Sequence, residues 1–269
     1  MVLAGFVPDY ICRSHGFRQG IRDGRREKKE PAMRAIILAA GIGKRLQEQG
    51  KQMPKCFVKV GGKRLVDRHL ERLAQCGIKE VCFVVGYMAD EVRAHLANDA
   101  SGVKVSFIEN TDYLKGNILS AYAAKDLFDE PFIMMDADVA YPAELFSKLV
   151  NSPHADCLLL DENFDNDDEE MKLGADADGR VWEICRRLAK TWPAQGEGVG
   201  FFKCSPATGA IFREMLGRVI AAGGEKLEYE EVLDMVMKLA PIRFEFVGGL
   251  PWTEIDFPED LEKANRLFS

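Results

Sequence analysis

From Met33 onward, short apolar runs alternate with amphipathic stretches, and this rhythm limits what the chain can fold into more than any other feature. Arg34–Ala40, Val81–Val85, Val103–Ile108, Phe132–Met135 and Asp156–Leu160 read as strands. Arg64–Cys76, Ala89–Leu96, Ile118–Leu127 and Pro142–Val150 read as the helices between them. Parallel strands need a crossover connection, usually a helix. The order therefore predicts an α/β fold with a mostly parallel, Rossmann-like central sheet covered by helices. Such sheets bind ligands beyond the carboxyl ends of their strands, so the residues that follow each apolar run are the first candidates for function. After Asp161 the rhythm changes. Asp161–Glu170 is acidic and reads as a solvated loop, and Asp178-Gly179 between Met171–Ala175 and Val181–Cys185 predicts a β-hairpin. A strand at Gly198–Cys204, helices at Ala207–Ala222 and Tyr229–Lys238, a strand at Ile242–Val247 and a helix from near Pro258 complete one domain over 33–269 with a specialised second half.

Composition narrows the function classes. A formal net charge of −7 over 269 residues argues against a protein that coats nucleic acid, which needs a dominant phosphate-neutralising surface. A local group of Lys, Arg and backbone N–H can still hold a polyanionic small ligand inside an acidic molecule. The seven cysteines are scattered and never in C-x-x-C spacing, so neither a disulfide framework nor a zinc site is predicted; they read as buried thiols of a reducing cytoplasm. No apolar run approaches the ~20 residues that span a bilayer, so no stable membrane insertion is expected. Met1–Ala32 is basic and lacks a hydrophobic period. It reads either as a disordered arm or as translation from an upstream start, with Met33 the first folded residue.

Three segments carry chemistry. The first is Ala35-Ile36-Ile37-Leu38-Ala39-Ala40-Gly41-Ile42-Gly43-Lys44-Arg45-Leu46, a strand that runs straight into a glycine loop ending in two cations. Glycines let backbone N–H groups approach phosphate, and Arg45 offers a fork of donors to its oxygens; an ordinary strand-to-helix turn is the plainer alternative. A Walker loop fails on spacing, and a dinucleotide fingerprint fails at Leu46, where a third small residue is required. Gln52-Met53-Pro54-Lys55 follows and sets a second cation on a proline-fixed backbone. The second segment, Phe132-Ile133-Met134-Met135-Asp136-Ala137-Asp138, ends in two carboxylates one residue apart. Strand alternation would point both to one side, where they could hold a hard divalent cation; a helix cap before Pro142 is the other reading. The third, Trp252-Thr253-Glu254-Ile255-Asp256-Phe257-Pro258-Glu259-Asp260-Leu261, is an acidic turn before a helix, where an N-cap is the ordinary explanation.

In combination these segments resemble the sugar-nucleotide pyrophosphorylase and cytidylyltransferase superfamily, whose signature is L-A-A-G-x-G-x-R-L, a variable loop, then P-K. The resemblance extends from Met33 to the C-terminus. It implies a nucleotidyltransferase domain in which Gly41, Gly43, Arg45 and Lys55 wrap and stabilise a triphosphate, with Leu38, Ala39, Ala40 and Lys44 in the same loop. It also implies a magnesium ion chelated by Asp138 at the strand end, with Asp136 in reserve, and by Asp256 in the late acidic turn. Asp260 is left as the helix-start acid. Gly86, Tyr87, Asn110, Asn117 and Ser120 match segments that surround the base and ribose, and Asn117 reads equally well as a helix cap. The catalytic set is then Arg45, Lys55, Asp138 and Asp256, and His69, His95 and His154 are not singled out.

The resemblance is nearest to the phosphocholine cytidylyltransferase type, which implies CTP as nucleotide. Glu197, Glu230 and Trp252 then become candidates for an acceptor wall of carboxylates and an aromatic face, suited to an ammonium group. Glu228–Glu231 also reads as the acidic first turn of a helix. Phosphocholine, 2-aminoethylphosphonate or phosphoethanolamine would fit such a wall. Inositol 1-phosphate or a sugar 1-phosphate is the alternative acceptor, and a nucleotide-binding regulatory protein without turnover is the alternative class.

Overall fold

A computed structural model of the chain describes residues 33–49, 53–97, 99–164 and 170–269. The basic stretch Met1–Ala32 lies outside the described residues. In chain order the elements are β1 (Arg34–Ala39), β2 (Lys59–Val60), β3 (Lys63–Arg64), α1 (Leu65–Gln75), β4 (Glu80–Val85), α2 (Ala89–Leu96), β5 (Lys104–Glu109), α3 (Asn117–Ala123), β6 (Phe132–Asp136) and β7 (Val139–Ala140). They continue as α4 (Ala143–Asn151), β8 (Cys157–Asp161), β9 (Lys172–Ala175), β10 (Val181–Cys185), β11 (Ala194–Cys204), α5 (Pro206–Ala221), α6 (Tyr229–Met237), β12 (Arg243–Phe246), β13 (Thr253–Glu254) and α7 (Pro258–Phe268).

The main sheet runs β10-β9-β11-β6-β1-β4-β5, with β8 paired to β11 and β12 to β8. β6, β1, β4 and β5 are mutually parallel, whereas β11 runs antiparallel to β6, β8 and β9. Ala35, Ile37 and Ala39 of β1 face a core shared with Leu70, Val92 and Leu145 of α1, α2 and α4; Ile36 and Leu38 face the opposite core with Ile118, Phe212 and Val232 of α3, α5 and α6. A strand covered on both faces has no polar side, which is why it reads as a continuous apolar run. Each fully buried side chain of this size contributes roughly 1.5–3 kcal/mol, so the strand ends present their loops from a rigid frame. In register, Leu38 lies beside Asp136 and beside Val84, which brings the glycine loop and the carboxylate strand to one edge. A third cluster of Val58, Val60, Leu65, Ala140, Ile255 and Ala264 seats α7 against the small β2–β3 ladder and the β7 segment. Among the described residues no helix is long and apolar enough to cross a membrane.

Three elements differ from expectation for identifiable reasons. β11 begins at Ala194, before the apolar run, because its first half pairs with β9 while Phe201–Cys204 pair with β6. The register breaks between Gly198 and Phe202, and Gly200 takes φ +77° there, a left-handed conformation that favours glycine. The helix predicted to reach Leu127 stops at Ala123 and continues as a 3₁₀ turn over Lys125–Leu127, where the Lys125 carbonyl accepts from Arg213 Nε at 2.8 Å. Asp161 closes β8 rather than opening a solvated loop: it is buried and accepts a 2.6 Å hydrogen bond from Trp252 Nε1. Residues 165–169 of that acidic stretch lie outside the described residues.

Candidate active site

The glycine loop leaves β1 at Ala40, whose carbonyl accepts from Tyr87 N at 3.2 Å. Gly43 has φ +62°, and a Cβ there would lie 3.0 Å from Lys55 Cγ, so glycine is needed both for the turn and for the crossing over Lys55. A 3₁₀ turn over Lys44–Gln49 follows and carries Arg45 over the Phe257 ring, 4.7 Å from its centroid, with Nη1 3.2 Å from Asp256 Oδ2. Pro54 precedes the short 3₁₀ turn Lys55–Phe57, which directs Lys55 Nζ between Asp138 Oδ2, at 2.5 Å, and Asp256 Oδ1. Burial alone would lower the Lys55 pKa, but Asp138, Asp256 and Glu254 outweigh it, so the ammonium is held above the ordinary lysine value.

Asp138 follows β6 and precedes β7. The β7–β13 ladder, with Val139 opposite Glu254 and Ala140 opposite Thr253, brings the late acidic turn alongside it. Carboxylate oxygens of Asp138, Glu254 and Asp256 lie within 4.8 Å of one another. Burial and then the neighbouring Asp138 push the Glu254 carboxyl well above the usual range. Among the described residues no hydrogen-bond partner meets Asp138 Oδ1, which is buried. Three convergent hard oxygen donors, one of them with its lone pairs otherwise unused, fit a small divalent cation such as Mg²⁺. Asp256 is not consumed by helix capping, because Asp260 accepts from the backbone N–H groups of both Asp256 and Phe257, at 3.0 and 2.8 Å. Glu254 was missed in the sequence reading although Ile255, fully buried between the two acids, already implied that Glu254 and Asp256 share a side. Asp136, held in reserve as a ligand, lines the same cleft but lies outside the three-carboxylate group. It is the last residue of β6, Ala137 and Asp138 form a turn, and Asp136 Oδ2 accepts from Tyr229 Oη at 2.9 Å.

A cleft of about 650 Å³ joins these parts, running from Ala40, Gly41 and Arg45 past Asp138 and Asp256 to Glu230. Of the residues predicted for the nucleotide side, Leu38, Asn117 and Ser120 also line it; Ala39, Gly43, Lys44, Lys55, Gly86, Tyr87 and Asn110 do not. Asn110 instead builds the wall, donating to Ser120 Oγ at 3.0 Å and accepting from Asp112 N at 2.9 Å. Gly86 packs so closely on Ala40 and Tyr113 that a Cβ would lie 2.9 and 2.8 Å from their Cβ atoms, which brings Tyr113 to the cleft. Of the three acceptor candidates only Glu230 lines the cleft. Its pKa is raised to about 7, chiefly by burial, and Asn117 Nδ2 lies 3.4 Å from Oε2. Trp252 is a correction: its indole is core, with the N–H satisfied by Asp161. Glu197 lies in the sheet between Lys172 and Asp161 and is likewise not a lining residue. Arg186 lines the cleft and pairs at 2.6 Å with Glu228, which lies in the acidic segment already singled out; Arg186 itself was not predicted, because a pair of cations after a hairpin carries no distinguishing local pattern.

Residues 35–168 match the MobA-like NTP transferase domain. The bifunctional IPC transferase and DIPP synthase of Rubrobacter xylanophilus is 29% identical over 87% of this chain, which spans 51% of that protein. The CTP:phosphoglutamine cytidylyltransferase of Campylobacter jejuni is 28% identical over 86% of this chain and 98% of its own length. The CTP:phosphocholine cytidylyltransferase of Streptococcus pneumoniae shares the fold with a TM-score of 0.73 and 23% identity, covering 88% of this chain and 99% of that one. Because the matched domain begins inside β1 and runs past Asp138, the glycine loop and the first carboxylate of the site both fall within it, and a nucleotidyltransferase-family domain is present in the chain.

Proposed function

We propose that this protein is a magnesium-dependent cytidylyltransferase that transfers CMP from CTP to a small phosphorylated or phosphonate amino-alcohol, such as phosphocholine or 2-aminoethylphosphonate, and releases pyrophosphate. The observation that carries the reading is the single cleft in which a glycine loop, a three-carboxylate cluster and an acid-bearing far wall follow one another. Relatives that act with CTP support the choice of nucleotide.

In this mechanism an acceptor oxygen bonds to the α-phosphorus of CTP as the bond from that phosphorus to the β-bridging oxygen breaks. A phosphomonoester has a second pKa of about 6, so its attacking oxygen is already ionised near neutral pH and no general base is needed. Arg45 and Lys55 hold the triphosphate oxygens and offset the charge that collects on departing pyrophosphate, while the backbone of Gly41 and Gly43 lets the chain approach closely. Asp138, Glu254 and Asp256 would hold Mg²⁺, which when bound supplies charge neutralisation and alignment at the α-phosphate. At the far end Glu230 receives the acceptor amine, a contact of about 1–2 kcal/mol in a partly desolvated pocket. Arg186 holds Glu228 at 2.6 Å, so that carboxylate already has a cationic partner, whereas Glu230 has the neutral Asn117 amide beside it.

The test is a pyrophosphate-release screen of four NTPs against phosphorylated amino-alcohols, aminoalkylphosphonates, inositol 1-phosphate and sugar 1-phosphates. Turnover with CTP and an amine-bearing acceptor is expected. Preference for inositol 1-phosphate or a sugar 1-phosphate overturns the acceptor assignment, and a different NTP overturns the nucleotide.

A further inference from the structure

His69, on the buried face of α1, is fully excluded from solvent, and its two ring nitrogens meet the two ends of the five-residue segment that carries Asp138. Nε2 lies 3.0 Å from the Ala137 carbonyl oxygen, and Nδ1 lies 3.0 Å from Tyr141 Oη. A carbonyl only accepts, so Nε2 carries the proton and Nδ1 accepts from the tyrosine hydroxyl. The tautomer follows from the partners. Burial holds the imidazole pKa down at about 4, so the ring is neutral near pH 7 and both bonds persist there.

Between those two contacts lie the Ala137–Asp138 turn and β7. On its other side the same segment is held by β13, through the Val139–Glu254 and Ala140–Thr253 pairs and a 3.1 Å bond from Ile255 N to the Asp138 carbonyl. β13 therefore sets the spacing between Asp138 and the late acids, and His69 is the fixed point against which that ladder is seated. The Tyr141 ring is itself wedged edge-on against Phe201, with centroids 4.9 Å apart, so its hydroxyl is not free to swing away from Nδ1.

We propose that His69 is a positioning residue of the carboxylate cluster: through the Ala137 carbonyl it sets the turn that aims Asp138, with Tyr141 fixing its tautomer. The inference rests on the reading of Asp138, Glu254 and Asp256 as metal ligands. An ordinary buried histidine would affect stability alone. A positioning histidine also changes metal affinity, since groups behind metal ligands typically alter it by 10–100-fold when lost.

The experiment titrates Mn²⁺ into the full-length protein by electron paramagnetic resonance, alongside the Mg²⁺ half-saturation of turnover and the melting temperature. His69→Leu removes both hydrogen bonds and is expected to weaken Mn²⁺ binding and raise the Mg²⁺ half-saturation by about tenfold, with KM for CTP at saturating metal nearly unchanged. His69→Gln, which keeps one donor and one acceptor, should recover most of the loss. Tyr141→Phe removes only the hydroxyl and should give a smaller change in the same direction, so it carries the test if His69→Leu does not fold. Wild-type Mn²⁺ affinity in every folded variant, with only the melting temperature lowered, overturns the role of His69. No Mn²⁺ binding by the wild-type protein overturns the metal reading and this inference with it.

Discussion

The Tyr229 hydroxyl donates to Asp136 Oδ2 at 2.9 Å, so the first residue of α6 is tied to the last residue of β6 from across the cleft. Asp136 thereby ties α6 to the sheet, while Asp138, two residues on, faces Lys55, Glu254 and Asp256. The two acids should separate in mutagenesis. Asp138→Asn is expected to lower kcat by at least roughly a hundredfold, the scale for losing a group that stabilises transition-state charge. Asp136→Asn keeps a hydrogen-bond acceptor for Tyr229 and should stay within about tenfold of wild type, a loss smaller than that of removing a charge-stabilising group. Steady-state kinetics at saturating Mg²⁺ check the pair; equal losses would return Asp136 to the ligand set.

Lys55 lies between two carboxylates with its side chain only 15% exposed. Lys55→Met leaves Asp138 and Glu254 facing Asp256 without the central ammonium, with Arg45 as the remaining cation on Asp256. Breaking a buried pair in this way typically costs about 3–5 kcal/mol. The melting temperature should fall accordingly, and Mg²⁺ should raise it more in the variant than in wild type, because the added cation relieves the same repulsion. Thermal melts with and without Mg²⁺ decide the matter; an equal response in both proteins would separate the carboxylate cluster from the metal.

The parallel core was legible because β1, β4 and β6 are buried on both faces and so spell uninterrupted apolar runs. The glycine loop stood out because glycines and cations at a fixed spacing after an apolar strand are what surrounding a phosphate requires. Alternation put Asp136 and Asp138 on one side, and both line the cleft although β6 ends at the first of them and the second stands in a turn. Applied across Ile255, the same rule would have found Glu254. Trp252 could not be read from its motif, since the group that satisfies its indole, Asp161, is 91 residues away. Much of the acceptor side depends on such pairings: Arg186 with Glu228 and Tyr229 with Asp136 join segments 42 and 93 residues apart, and no local pattern announces them.

Arg45 differs from Lys55 in exposure. Its side chain is 62% exposed, and the contact with Asp256 Oδ2 is 3.2 Å long, so removing it should leave stability within about 0.5 kcal/mol of wild type. Its loss is expected instead in KM for CTP and in kcat, because the guanidinium fork then no longer meets the triphosphate. Gly43→Val should be more severe than Arg45→Ala: a branched residue is strained at φ +62°, and its Cβ would press on Lys55 Cγ. Initial rates over a CTP series distinguish the two, and an unchanged KM in both variants would put the nucleotide elsewhere.

Glu230 links pH to acceptor binding. Burial raises its pKa to about 7, against an ordinary glutamate value near 4.5. A carboxyl whose folded-state pKa is raised is protonated in the native protein and ionised in the unfolded chain between those two values. It therefore contributes stability that is fully present at acid pH and is lost as pH rises through about 7. Binding runs the other way, since only the ionised form attracts an ammonium. KM for an amine-bearing acceptor should accordingly fall as pH is raised from about 6 to about 8, the interval in which Glu230 ionises. The acceptor phosphate also titrates near the lower end of this range, so the comparison is with Glu230→Gln on the same acceptor. The variant should show a higher KM, by roughly five- to thirtyfold for a lost contact of about 1–2 kcal/mol, and should lack the component of the pH profile centred near 7. KM for CTP should remain close to wild type in the variant, because the lost charge faces the second substrate. Superimposable pH profiles for wild type and Glu230→Gln would remove Glu230 from acceptor recognition.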